Sequence, residues 1–110
     1  MAYEEQITGK YYIVGVDTRD DLHLSYSIGA GSYVGKAPGE ILRYGFNDTF
    51  LVAETDDGVG RHAVYYVIDM TKDSEYAHEK DFRIGPISKA EYEDRWSSRL
   101  KIKFQKVQSQ

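Results

Sequence analysis

Three kinds of side chain in this sequence have the chemistry to act on a ligand: three histidines, several close-set aspartates and ten tyrosines. His23, His62 and His78 are candidate metal ligands or general bases, but none stands in the short paired spacing of a zinc motif. Solvated imidazoles are the expectation, and a set of two histidines and an aspartate could be assembled only by the fold. Asp17, Asp20 and Asp21 crowd beside His23, and Asp56 and Asp57 precede Gly58. Paired carboxylates can do acid–base work or hold calcium. The order here is not that of a calcium loop, and aspartates in such turns cap their own backbone. There is no Gly-x-Ser-x-Gly elbow. Gly29-x-Gly31-x-x-x-Gly35-Lys36 matches neither phosphate-loop pattern and no helix pattern follows it, so a hairpin turn is expected there. The absence of cysteine removes disulfides, thiolate metal sites and a thiol nucleophile. The expectation is a chain with no catalytic residue, no metal and no cofactor.

Tyrosine points elsewhere. Interfaces over-use it because it brings apolar area and one polar tip at low entropic cost. Alternation places Tyr12, Tyr26, Tyr44 and Tyr66 on core faces. Tyr3, Tyr11, Tyr33, Tyr65 and Tyr76 fall outside that pattern, either on a second covered face or exposed. Charge adds a direction. The chain holds 14 basic and 18 acidic residues, a net of −4. Residues 1–80 carry 7 basic against 14 acidic side chains, and residues 81–110 carry 7 against 4. An acidic body argues against binding a nucleic-acid backbone, which needs concentrated positive charge. It suits a basic protein partner or plain solubility.

Elements that would position these residues are read from period-two alternation, the mark of half-buried strands. Tyr11 to Asp17 is apolar on both faces and predicts a central strand. Leu22, Leu24, Tyr26 and Ile28 alternate with His23, Ser25 and Ser27. Further strands are expected at Tyr33-Val34, over 41–46 with Leu42, Tyr44 and Phe46 on one face, over 50–54, and over 63–70. The polar stretch 71–83 reads as an excursion or mobile loop. Ser88 and Glu91 form a capping box for a helix over 89–98, with Ile87 and Tyr92 as a staple and Tyr92 and Trp96 as its buried stripe. A last strand with Leu100, Ile102 and Phe104 on one face is expected beside the 63–70 strand. Residues 1–7 are expected to be disordered. The whole is a single α+β domain over 1–110: a mostly antiparallel meander of six or seven strands, a curved sheet or small sandwich, with one helix near the C-terminus. No apolar run is long enough to span a membrane.

Two segments carry a resemblance. Tyr65-Tyr66-Val67-Ile68-Asp69, followed by Gly85-Pro86-Ile87 and Glu91-Tyr92, resembles a group of short, uncharacterised bacterial proteins. In these a Tyr-Tyr-Ile-Ile-Asp strand leads to Gly-Pro and a Glu-rich helix. Upstream, Gly45-Phe46-Asn47-Asp48 and Phe50-Leu51-Val52-Ala53 are similar to the same group's Gly-Tyr-Asn-Asp and apolar strand. The resemblance implies strands and a capped helix and supplies no catalytic residues. Some members look like secreted lipoproteins with a leader and a lipid-bearing cysteine, which this chain lacks. Met1 to Gln6 has neither the basic nor the apolar region of a signal peptide. A cytoplasmic location is therefore expected as the chain stands, and a periplasmic or surface one if a leader was removed.

These observations converge on a non-enzymatic protein-binding module, in its sharpest form an immunity-type inhibitor of a bacterial toxin. Asp17, Asp20, Asp21, Asp56 and Asp57 would steer toward a basic toxin domain, and Tyr33, Tyr65 and Tyr76 would anchor it. The alternative is an envelope-associated accessory or structural domain.

Overall fold

Period-two alternation does become strands, and more of them than six or seven. The computed structural model describes residues 3–15, 22–56 and 62–107. Among them β1 (Tyr3–Thr8), β2 (Tyr11–Gly15), β3 (Leu22–Gly29) and β4 (Ser32–Gly35) form one sheet in that order. β5 (Glu40–Phe46), β6 (Phe50–Asp56), β7 (Ala63–Asp69), β8 (Arg83–Ile87) and β9 (Gln105–Lys106) form a second, ordered β8-β7-β6-β5-β9. Every pairing is antiparallel. The β3–β4 turn runs through Gly29, Ala30 and Gly31 with φ of 94°, 54° and 75°, a left-handed stretch that two glycines make affordable.

The sheets pack face to face. Tyr11, Ile13, Leu22 and Leu24 from the first meet Ile41, Tyr44, Leu51, Ala53, Tyr66 and Ile68 from the second. The far face of the second sheet is covered in turn. There Val52, Tyr65, Val67 and Ile87 pack with Tyr92 and Leu100 of the C-terminal helical stretch. Burial on both faces explains why β6 and β7 are apolar in consecutive residues rather than in alternation. No helix among the described residues is long and apolar enough to cross a membrane.

That helical stretch begins where the capping box predicts. The Ser88 Oγ accepts the Glu91 N–H at 3.1 Å, a cap that contributes about 1 kcal/mol. α-Helix over Lys89–Tyr92 passes into a π-helical turn over Glu93–Ser97 and closes as α-helix over Ser98–Leu100. Lys101, at φ 53°, ends it in the left-handed conformation. Tyr92 stacks on Tyr65 with centroids 5.0 Å apart, and Trp96 meets Phe50 edge to face at 6.2 Å. The aromatic stripe is thus the face laid on the sheet.

Several expectations need correction. Residues 3–8 are not disordered but pair with β2, because Glu5 finds partners inside. The Glu5 carboxylate accepts from the Tyr3 hydroxyl and from the Tyr44 hydroxyl, the latter at 2.8 Å. In β5 the register shifts between Ile41 and Arg43, a bulge that makes Leu42 the extra residue. Ile41 and Tyr44 therefore face the same core, which strict alternation forbids. In β2 it is Tyr11, at 5% exposure, that fills the core, while Tyr12 lies half-buried against Tyr33. The last strand pairs with β5, not with the 63–70 strand. That edge of β7 is already taken by β8, formed from the stretch around Gly85-Pro86.

Tyr44 ties the layers together. Its hydroxyl donates to Glu5 on β1 and accepts from the Gln105 side chain on β9 at 2.6 Å. Burial first, then the bond to the Glu5 carboxylate, pushes its pKa up to about 12. A raised folded-state pKa means the folded form keeps a proton that the unfolded chain loses near pH 10. The Tyr44 contribution is therefore complete below pH 10 and lost as pH rises toward 12. Urea midpoints measured at rising pH should fall through this window, and Tyr44→Phe should flatten the slope. An unchanged slope in the variant refutes the assignment.

Candidate functional site

The segment between β7 and β8 begins as a polar turn. The Asp69 carboxylate accepts from the backbone and hydroxyl of Thr71, a local bond that aspartate makes readily. Beyond it the segment is not a loose loop. Asp73 turns inward and pairs with Lys36 at 2.8 Å, the two side chains being 0% and 2% exposed. The Lys36 ammonium also donates to the Ser74 carbonyl at 2.9 Å and lies over the rings of Phe82 and Tyr26, 4.6 and 5.0 Å from their centroids. The Tyr11 hydroxyl donates to the other Asp73 oxygen at 2.7 Å. Burial, then that bond and the carboxylate's charge, raises the Tyr11 pKa far above the ordinary phenol range. Arg83 completes the clamp by donating to the Lys36 carbonyl at 3.1 Å. A buried cation is tolerated only when it is paired and hydrogen-bonded, and Lys36 has both.

The clamp leaves one aromatic outside. Tyr76, in the turn at residues 75–76, is 89% exposed. The neighbouring Glu75 carboxylate, hydrogen-bonded to its hydroxyl, raises its pKa. Ala77 then packs on the core, His78 caps a short helical turn α1 (Glu79–Phe82) by accepting the Lys80 N–H, and Phe82 is buried. Tyr76 is thus a projecting ring between two fastened ends.

Of the other residues expected at a partner surface, the described ones do not form one exposed patch with Tyr76. Asp17, Asp20, Asp21 and Asp57 lie outside the described residues. Asp56 ends β6, opposite Glu40 and Ala63, and is half-exposed. Tyr33 is half-buried beside Tyr12, away from the core that Tyr11 fills. Tyr65 is 1% exposed and offers no ring to a partner, because the helical stretch covers its face. Its hydroxyl donates to Glu54 and accepts from Arg43, while the Arg43 guanidinium pairs with Glu54 at 2.6 Å and lies over Phe104. Burial raises the pKa of both Tyr65 and Tyr92, and the Tyr92 hydroxyl has no hydrogen-bond partner among the described residues.

The histidines do not gather. The His23 Nδ1 sits 2.9 Å from the Gly39 carbonyl, His78 serves as a cap and His62 is exposed. Among the described residues no group of three His, Cys, Asp or Glu side chains is placed to hold a metal. Sequence reasoning missed Lys36 and Asp73, whose only signal was a lysine directly after a hairpin and an aspartate in a polar tract. It also missed a cleft of about 320 Å³ between the 71–83 segment and the helical stretch, lined by Lys72, Lys80, Trp96 and Arg99 among others. No protein-family model, no curated protein and no solved structure matches this chain.

Proposed function

We propose that this chain is a non-enzymatic protein-binding module of the immunity-inhibitor kind, with Tyr76 as its anchor into a basic cleft of a toxin. The observation that supports the reading is a tyrosine at 89% exposure on a segment pinned by a buried ion pair. A ring carried on a fastened stretch of backbone costs less chain ordering on binding, and exposed aromatics of this kind supply the anchors of interfaces. Glu75 beside it is exposed and acidic, in a chain of net charge −4. Such a field speeds encounter with a basic partner and loses effect as salt rises.

Affinity capture with the tagged chain, followed by binding measurements on the captured partner, tests this. Tyr76→Ala should weaken binding at least about tenfold, as hot-spot truncations do, while the thermal midpoint stays where it was. The captured partner should poison cells when expressed alone and not when co-expressed with this chain. Equal binding by Tyr76→Ala, or a partner whose toxicity this chain leaves untouched, refutes the reading.

A further inference from the structure

A second surface has the opposite charge. The wall of the 320 Å³ cleft is aromatic, with Trp96 against Phe50, and the Arg99 guanidinium lies 4.8 Å from the Trp96 centroid. Four cations line it (Lys72, Lys80, Arg83 and Arg99) against two carboxylates, Asp69 and Asp81. In a chain with more acid than base, these cations could readily have been neutralised, and only some are. Arg83 is held by Glu79 at 3.0 Å, whereas Asp69 is engaged by Thr71 and only grazes Lys72 at 4.0 Å. Among the described residues, Lys80 and Arg99 have no carboxylate within ion-pair distance.

We propose that this cleft binds a small organic anion: one flat ring bearing a carboxylate or phosphate, its ring against Phe50 and Trp96 and its acid group drawn by Lys80 and Arg99. The volume is at the small end of ligand sites, which fits one ring and its substituent rather than a length of peptide. Arg99, lodged on the indole, presents a guanidinium whose fork matches an oxyanion. The apolar wall supplies contact area and the unpaired cations supply selectivity for charge. Tyr76 does not line this cleft, so Tyr76→Ala leaves its ligand affinity unchanged.

Trp96 is the one tryptophan in the chain, so its fluorescence and its indole N–H resonance report on this cleft. Titration of the full chain with phenyl phosphate and with benzoate should give a saturable change at millimolar ligand for at least one of them. The tighter of the two identifies the acid group. Lys80→Gln and Arg99→Gln should each weaken binding about tenfold, the loss of one charge-assisted contact. Both side chains are exposed, so the thermal midpoint should hold. The proposal is overturned by no saturation with either anion, by benzyl alcohol or inorganic phosphate binding as tightly, or by unchanged affinity in both variants. Binding of a glutamate-rich peptide without binding of the small anions also overturns it and makes the cleft a peptide-docking surface.

Discussion

Lys36→Met should destabilise the fold by about 3–5 kcal/mol, the cost of leaving one member of a buried ion pair behind. The methionine keeps the length of the stem between Tyr26 and Phe82, so the loss isolates the charge. Asp73, with its side chain 0% exposed, would keep only the Tyr11 hydroxyl and the Ser74 N–H as partners. Asp73→Asn should cost a similar amount by stranding the Lys36 ammonium. The double variant Lys36→Met with Asp73→Leu should recover only part of the loss: it removes both buried charges, but the Tyr11 hydroxyl loses its acceptor. Urea unfolding of Lys36→Met, Asp73→Leu and the double variant closes the cycle. Single losses below about 1 kcal/mol would show that water screens the pair, as it does for exposed bridges. The clamp also bears on the proposed partner binding. Lys36→Met should loosen the segment that carries Tyr76 and weaken partner binding together with stability, whereas Tyr76→Ala should weaken binding alone.

Gly45→Ala should cost about 1–3 kcal/mol through overpacking, and its effect should be localised. A Cβ at this position would run into the Ile102 side chain, the Lys103 carbonyl and, at 2.8 Å, the Phe104 ring. Glycine is required here for close approach, not for an unusual φ. Relief comes by lifting the chain over 102–106 off β5. Amide exchange should accelerate first at Gln105 and Lys106, which pair with Tyr44 and Arg43. Protection along β7 and β8 should hold. If exchange rose first between β7 and the C-terminal segment, the order of the second sheet would be wrong.

How far the fold can be read from the residues depends on how local its causes are. Ser88 caps the helix because its oxygen reaches an N–H three residues on, and Tyr92 and Trp96 share a face because of helical period; both follow from short spacings. The apolar run in β7 announces burial on both faces for a similar reason. The bulge at Leu42 is different, since nothing in Ile41-Leu42-Arg43 signals an extra residue until Thr55 and Glu54 lie opposite. Gly85-Pro86 looks like a helix approach, yet the chain there closes the edge of β7. Once that edge is filled, the final strand must go to the other side of the sheet, where Gly45 leaves room for it.

The candidate sites divide in the same way. Tyr76, in a polar tract with no alternation, was legible as a residue outside the core. Tyr65 was not distinguishable from it, because the helix that buries Tyr65 arrives 24 residues later in the chain. Lys36 and Asp73 are separated by 37 residues, and their attraction has no trace in either neighbourhood. The residues alone thus establish a chain of antiparallel strands with a capped helix, an acidic body and a surplus of tyrosine. The folded arrangement settles which tyrosines are spent on packing and which single one is held out. It does so because strand partners, edge occupancy and buried ion pairs are long-range choices, made by what the rest of the chain has already covered.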